Sequence, residues 1–235
     1  MINSEEFFRE SLATVFNLIK HFGWDDLIFT HASARIPNTN YMLINRFGVE
    51  FDRITPLSLL KVDIFSDDSV EHSNIAGINL HRTFYRCKPE VNGVIHTHTN
   101  EGIAVSADKR GLVPISQQSM FVIPTLSYFD QYNGVIVDDE DPLLMVDSIK
   151  DNKCMILRNH GLLTCGTTIQ EAFMYMYHLQ KSCEIQTITD LDNAVYIDVN
   201  VNQQVSDRYE TFRNNFDRTA LWEMLGRISK RARKS

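Results

Sequence analysis

Short apolar runs typical of β-strands alternate with amphipathic helical segments along almost the whole chain, and this alternation restricts the fold more than any other feature. Strand-like runs are bounded by turn residues, whereas helical segments repeat apolar side chains every three or four residues. Interspersed strands and helices favour a layered α/β domain. The sequence predicts strands over 27–30, 41–45, 61–65, 93–98, 134–138, 154–159 and 162–165, and helices over 4–21, 78–86, 101–107, 141–150, from 168 and from about 206.

No stretch of the sequence marks a domain boundary. The 235 residues contain no Gly/Ser linker, no repeat and no charge block, and a chain of this length can bury roughly 70–75% of its unfolded surface in one domain. We therefore predict a single domain over 1–200, followed by a C-terminal helix and basic tail over 201–235. The tail is expected to be solvated, and a local anionic contact is the alternative.

Charge and composition exclude several classes of function. A net charge of −7 argues against a nucleic-acid partner, because phosphate binding needs a positive surface. No apolar run approaches the roughly 18–20 residues of a membrane helix, so membrane insertion is not expected. The sequence shows no secretory signal, and Cys87, Cys154, Cys165 and Cys183 form no CxxC pair. These thiols are expected to be free, as in a cytoplasmic protein.

Two histidines alternate on one predicted strand. His96 and His98 are separated by Thr97, and side chains at i and i+2 of a strand point to the same face. Two imidazoles held in this way direct two nitrogens at one point, as a divalent metal requires. The spacing alone also fits an ordinary pair of histidines at the end of a sheet.

A third histidine strengthens the metal hypothesis. His160 stands where a predicted apolar strand meets Gly161, and strand ends that face a cleft are frequent ligand positions. Three histidines that leave one side open match a catalytic metal site, with a water or substrate oxygen in the remaining position. The alternative is that the His160 imidazole only caps the turn.

Five short segments, taken in order, carry a resemblance to a known family. They begin at residues 76, 86, 94, 104 and 157 and read AGINLH, RCKPE, VIHTHT, AVSA and LRNHGL. Together they resemble the class II aldolase/adducin family over roughly residues 5–195. The resemblance implies a three-layer α/β/α domain with a central mixed β-sheet, assembled as a homotetramer. It also implies that His96, His98 and His160 bind a divalent metal, with zinc typical and manganese the alternative.

The chain departs from the sugar-phosphate aldolases of this family at their phosphate and acid positions. Where those enzymes carry Ser-Ser-Glu before the helix that precedes the His-x-His strand, this chain has Ile75, Ala76 and Gly77. Their Thr-Gly phosphate contact reads Phe47-Gly48, and their substrate-side Gly-Asn pair reads Thr30-His31. These replacements are similar to the adducin-like branch, and they imply a substrate without phosphate.

The residue that supplies a proton is therefore open, and three candidates stand out. His31 occupies a substrate-side position of the family, so it and Gly77 are expected to line the substrate site, although His31 also fits a solvated strand end. Glu101 is the acid nearest to the histidine pair in sequence; it could cap a helix or accept a hydrogen bond from a ligand imidazole. Glu71 could move in as a replacement acid or remain in a solvated loop.

Two functional hypotheses follow from the resemblance and the residues. The first is a metal-dependent, aldolase-like lyase that acts on a small hydroxy-carbonyl or keto-acid substrate through a metal-stabilised enediolate. The second is a non-catalytic oligomeric scaffold or binding protein, similar to the head of adducin, that retains the metal histidines. Glycine at position 77 favours the scaffold, whereas three histidines in ligand register favour the enzyme.

Overall fold

The strands form one mixed sheet. The computed structural model describes residues 4–132, 134, 140–198, 207–208 and 218–232. Within them, seven strands pair in the order β3-β2-β1-β4-β7-β6-β5. Neighbouring strands are antiparallel, except for the parallel pair β5 and β6. The strands are β1 His31–Arg35, β2 Tyr41–Ile44, β3 Leu60–Asp63, β4 Gly93–Thr97, β5 Leu126–Phe129, β6 Cys154–Leu157 and β7 Gly161–Gly166.

Helices cover both faces of this sheet, which confirms the α/β class and the three-layer arrangement. Because adjacent strand residues point to opposite faces, Ile95 of β4 packs into the core beneath α1 and α6, whereas Val94 packs into the core beneath α2 and α5. The described helices are α1 Glu5–His21, α2 Ile75–Cys87, α3 Asn100–Ala107, α4 Gln117–Val122, α5 Glu140–Ile149, α6 Ile169–Thr187 and α7 Arg218–Ala232. In the described part of the chain, no helix combines the length and apolarity that a membrane span requires.

Polar side chains fix the starts of α2 and α3. Asn74 accepts a hydrogen bond from the backbone N–H of Gly77 at the start of α2. Thr99 does the same for Gly102 at the start of α3. These caps satisfy backbone donors that have no partner within the helix.

Thr168 and Glu171 have the spacing of a capping box at the start of α6. The Thr168 hydroxyl accepts from the Glu171 N–H, as that motif requires. The Glu171 carboxylate, however, accepts from the backbone N–H and the hydroxyl of Thr167. The Glu171 carboxylate therefore holds the turn before the helix through Thr167.

The strand predicted over 27–30 is wrong. Residues 27–29 form a turn, in which Leu27 has a φ of 48° and is 77% exposed. The true strand, β1, begins at His31 and alternates polar residues toward α2 with Ala32 and Ala34 toward α1. Apolar character in the turn misled the prediction, because those side chains face solvent.

Two further elements were not predicted, and two predictions lie partly outside the described residues. Helix α4 and strand β5 lie in the stretch between 111 and 134, for which no element was predicted. The strand predicted over 134–138 lies, apart from Gly134, outside the described residues. The helix predicted from about residue 206 is seen at 207–208 and over α7, and the segment between them lies outside the described residues as well.

Candidate metal centre

The end of β4 presents two of the three predicted metal ligands. His96 is buried within the strand, and His98 follows directly after its last residue. The His96 ring lies on the α2 side of the sheet, the same side as Val94. The two Nε2 atoms are 2.8 Å apart, so the alternate spacing has brought the imidazoles together as predicted.

The turn between β6 and β7 supplies the third predicted metal ligand, His160. Asn159 adopts a left-handed conformation with φ 55°, and the His160 N–H donates to the carbonyl of Leu157. Gly161 then enters β7 with no side chain, and a Cβ there would overlap the backbone carbonyl of Thr97. The turn therefore depends on a close approach of β4 and β7, which places His160 Nε2 3.0 Å from His98 Nε2.

The three histidines converge on one point. One ring nitrogen from each of His96, His98 and His160 lies within 4.8 Å of the others. Tetrahedral ligands at about 2.0–2.1 Å from a zinc ion stand roughly 3.3 Å apart, which is close to the separations in this cluster. Among the described residues, this is the group of histidine, cysteine and acidic side chains that could hold a metal ion.

The partners of the outer nitrogens show that the inner nitrogens carry lone pairs. The carbonyl of Leu162 lies 2.9 Å from His96 Nδ1, so this nitrogen donates its hydrogen there. The carboxylate of Asp26 lies 3.3 Å from His98 Nδ1 and favours the hydrogen on that nitrogen. Both Nε2 atoms are then acceptors, so the short distance between them is not a hydrogen bond. Two facing lone pairs repel, and a shared cation removes the repulsion.

Burial keeps these imidazoles neutral, which is the form that binds metals. Burial, followed by the other histidines, lowers the pKa of His96 well below its ordinary value. Burial and, to a lesser extent, His98 lower the pKa of His160 to about 4. For His98, burial lowers the pKa while Asp26 opposes the shift. The donor set and its charge state therefore fit a divalent cation.

His31 lies beside this cluster and begins a buried hydrogen-bonded chain. His31 of β1 and His96 of β4 are partners in the sheet, and the centroids of their rings are 5.1 Å apart. His31 Nδ1 is 2.8 Å from His81 Nε2, and His81 Nδ1 is 2.6 Å from the hydroxyl of Ser33. That hydroxyl is 2.7 Å from the hydroxyl of Tyr85. His31 is thus not a solvated strand end, and His81 is hydrogen-bonded through both of its ring nitrogens.

Gly77 lies directly against the His31 ring. A Cβ added at position 77 would stand 3.1 Å from Cδ2 of His31 and 3.2 Å from Cγ. The glycine therefore leaves room for the imidazole in the first turn of α2. The structure brings the two residues predicted to line the substrate site together, next to the metal histidines. That they contact a substrate stays a prediction.

The two acidic candidates lie in different surroundings. Glu101 is in the first turn of α3, where its carboxylate accepts a hydrogen bond from Gln180 at 3.2 Å, and the cap of that helix is Thr99. Glu71 is exposed in the loop before α2. The acid that does contact a predicted metal ligand is Asp26, which sequence reasoning missed. Asp26 follows Asp25 directly in the segment after α1, and nothing in the spacing distinguishes the two residues.

Comparisons with known proteins identify a family and relatives of this chain. The family model described as Class II Aldolase and Adducin N-terminal domain matches residues 10–187. The "Putative aldolase class 2 protein PA3430" of Pseudomonas aeruginosa is 43% identical over 81% of this chain and 74% of its own length. Alpha-adducin of Rattus norvegicus is 36% identical over 83% of this chain, a match that spans only 28% of adducin.

Solved structures share the fold. An aldolase II superfamily protein from Pseudomonas syringae superposes with a TM-score of 0.89 at 35% identity and covers 97% of this chain and 94% of its own. The L-fuculose 1-phosphate aldolase from Glaciozyma antarctica has a TM-score of 0.82 at 22% identity and covers 97% of this chain and 92% of its own. The second likeness is one of fold alone. From the matched family model, the sequence relatives and the shared architecture, the chain belongs to the class II aldolase and adducin family.

Proposed function

We propose that the protein is a metal-dependent lyase that acts on a small, non-phosphorylated hydroxy-carbonyl or keto-acid substrate. The observation that supports this most is the convergence of three imidazoles, two of which have their outer nitrogens held by fixed acceptors. Such outer contacts fix the tautomer of a metal-binding histidine and its ring orientation. A cluster of histidines that binds no metal has no need of this arrangement.

His96, His98 and His160 would hold the cation, with zinc as the first choice and manganese as the alternative. When bound, such a cation supplies Lewis-acid polarisation of substrate oxygens. His96 is buried beneath the other two, whereas His98 and His160 are half-buried. A small substrate would therefore approach from the side of His98 and His160.

The start of α2 supports a substrate without phosphate. Ile75, Ala76 and Gly77 offer neither a hydroxyl group nor a charge, and Ile75 is 68% exposed. Phosphate sites at helix starts normally add such side-chain donors to the backbone N–H groups. The absence of these donors from the first turn favours a carbonyl or carboxylate ligand over a phosphate ester.

Of the three candidates for proton transfer, His31 is the one that the geometry favours. Its ring packs beside His96 and Gly77, whereas Glu101 is hydrogen-bonded to Gln180 and Glu71 is exposed in a loop. General acid or base help is worth roughly 10²–10⁴ in rate. Replacement of His31 is therefore expected to lower turnover far more than replacement of either acid.

A non-catalytic scaffold is the second candidate. The similarity to alpha-adducin extends over 83% of the chain, and glycine at position 77 leaves the first turn of α2 without an acid. In this case the cluster would hold a structural ion, and the surface of the assembly would carry the function. Assembly as a homotetramer, a cytoplasmic location and the division at residue 200 remain proposals.

Metal analysis followed by a turnover screen tests the proposal. We expect about one divalent ion per chain in purified protein by elemental analysis, and its loss in His96→Ala. His21→Ala is a matched control, because His21 is exposed at the end of α1. Small hydroxy-aldehydes, hydroxy-ketones and keto acids would then be screened with added zinc or manganese.

The outcomes separate the two candidates. Turnover that His160→Ala abolishes would support the lyase and remove the scaffold. Metal-loaded protein that is inert across the screen, but forms a defined oligomer by light scattering, would favour the scaffold. Metal-free protein that cannot be reloaded would remove the metal centre from both.

A further inference from the structure

Four polar side chains form a hydrogen-bonded chain beneath the metal centre. They come from β1 and α2 and follow the order Tyr85, Ser33, His81 and His31, with contacts of 2.7, 2.6 and 2.8 Å. Tyr85 is 1% exposed, Ser33 and His81 are fully buried, and His31 is 5% exposed. The chain therefore has one buried end, at Tyr85, and one end at the cleft, at His31.

All four groups are buried, and burial favours their neutral forms. Burial raises the pKa of Tyr85 and lowers that of His81 to about 3, and the described residues place no acidic side chain in hydrogen-bonding contact with the chain. Each neutral group brings one polar hydrogen, so four hydrogens are available for three contacts. One hydrogen must then remain outside the chain, and its position fixes the direction of every bond.

Three distributions of these hydrogens are possible. Two of them leave a hydroxyl hydrogen, on Tyr85 or on Ser33, without an acceptor in a buried place, because the described residues offer these hydroxyls no acceptor outside the chain. A buried donor without a partner costs about 1–3 kcal/mol. In the third, Tyr85 donates to Ser33, Ser33 donates to His81 Nδ1, and His81 Nε2 donates to His31 Nδ1. The remaining hydrogen is then on His31 Nε2.

We propose that Tyr85, Ser33 and His81 hold His31 as its Nε2–H tautomer, so that His31 donates a hydrogen bond to a substrate oxygen beside the three metal histidines. Among the described residues, no protein group takes this hydrogen. Gly77 leaves Nε2 free, since even a Cβ at that position would lie 3.5 Å from it. His31 is the group that contacts substrate, and the other three are positioning residues.

The expected ligand is a carbonyl, hydroxyl or carboxylate oxygen of the hydroxy-carbonyl or keto-acid class. A neutral imidazole in this tautomer binds an oxygen without first giving up or taking a proton. This inference rests on the proposed function for the nature of the ligand, but the tautomer itself does not depend on a metal or a substrate.

Nitrogen-15 NMR of histidine-labelled protein tests the tautomer directly. His31 and His81 would be assigned from the resonances that disappear in His31→Gln and His81→Gln. We expect both residues to carry hydrogen on Nε2 and a bare Nδ1, in zinc-free and in zinc-loaded protein. Hydrogen on Nδ1 of His31, or a mixture of the two tautomers, would overturn the proposal.

A second measurement tests the donor toward a ligand. Acetohydroxamate, a small chelator with two adjacent oxygens, would be titrated into zinc-loaded wild type, His81→Phe and His81→Gln. Phenylalanine cannot donate to His31 Nδ1, so affinity should fall about 10-fold, roughly the value of one hydrogen bond to a charged group. Glutamine can donate from its amide and should retain most of the affinity.

Zinc content is measured on the same samples, so that a failure of the role of His31 can be distinguished from a failure of the proposed function. Equal affinity in all three proteins at equal zinc content would overturn the role of His31, whatever the fate of the lyase proposal. Protein that never takes up zinc would contradict the proposed function, while the zinc-free spectrum would still decide the tautomer.

Discussion

Asp26 is the acidic residue on which the proposed metal affinity depends most. Its carboxylate faces His98 Nδ1 at 3.3 Å and remains 41% exposed. It therefore faces a predicted ligand while remaining partly exposed, and no sequence pattern reveals it. Asp25, its neighbour, pairs instead with Lys20 at 2.9 Å. The two residues form a matched pair for mutation.

We predict that Asp26→Ala weakens zinc binding by about 10–100-fold, the usual cost of losing an acceptor behind a histidine ligand. Asp25→Ala should leave the affinity within a factor of about two, because Asp25 pairs with Lys20 and not with a histidine of the cluster. Competition with a fluorescent zinc chelator measures both. Equal affinities in the two variants would show that Asp26 does not orient His98.

Gly161 controls how closely two strands approach beside the site. We predict that Gly161→Ala destabilises the protein by about 1–3 kcal/mol, because the new Cβ would overlap the Thr97 carbonyl and push β7 from β4. Gly226→Ala is the control: no atom lies within 4 Å of a Cβ there, and alanine in a helix is worth about 1 kcal/mol over glycine. Urea unfolding should therefore shift in opposite directions for the two variants.

At the scale of elements, amphipathic helices were predictable and the polar strand was not. The apolar spacing of α1, confirmed at Glu5–His21, follows directly from one buried helical face. Strand β1, by contrast, reads His-Ala-Ser-Ala-Arg and carries little hydrophobic signal. Its polar side chains hydrogen-bond to residues of α2, which packs on that face of the sheet. Local periodicity does not contain such a tertiary contact. The chain from Tyr85 to His31 was hidden for the same reason.

His178 of α6 packs against α4 and makes the stability of the folded protein depend on pH. This histidine stacks on Phe121 with ring centroids 4.0 Å apart, and its buried Nδ1 has no hydrogen-bond partner among the described residues. Burial lowers the pKa of His178 to about 4, below the ordinary value of about 6.5. The unfolded state therefore binds the proton more readily, so the contribution is fully present above about pH 6.5 and is lost as the pH falls toward 4.

Between pH 7 and pH 5, the wild type should lose roughly 2 kcal/mol of its free energy of unfolding through the protonation of His178 in the unfolded state. We predict that His178→Leu lacks this part of the pH dependence. Urea unfolding at several pH values measures this difference. His21→Leu, at an exposed position, should follow the wild-type curve. Parallel curves for wild type and His178→Leu would mean that this residue is already solvated in the folded state.

At the scale of the whole molecule, the site is assembled where separate parts of one sheet meet. His96 and His98 come from the end of β4, His160 from the turn between β6 and β7, and Asp26 from the segment before β1. The sequence predicted the three histidines, because alternation on a strand and a glycine turn are local signals. The acceptors behind them come from distant segments and could be found only from the fold.

Because the ligands join parts of the sheet that are far apart in sequence, metal binding should stabilise the entire domain. A ligand present at about 100 times its Kd adds about 2.7 kcal/mol, which for 235 residues corresponds to a rise in Tm of roughly 5–10 °C. We predict this rise when zinc is added to chelator-treated wild type in a calorimetric scan. His96→Ala should show no rise, and His21→Ala should show the full one. A rise of the same size in His96→Ala would place the stabilising ion elsewhere, since that variant lacks the buried member of the cluster.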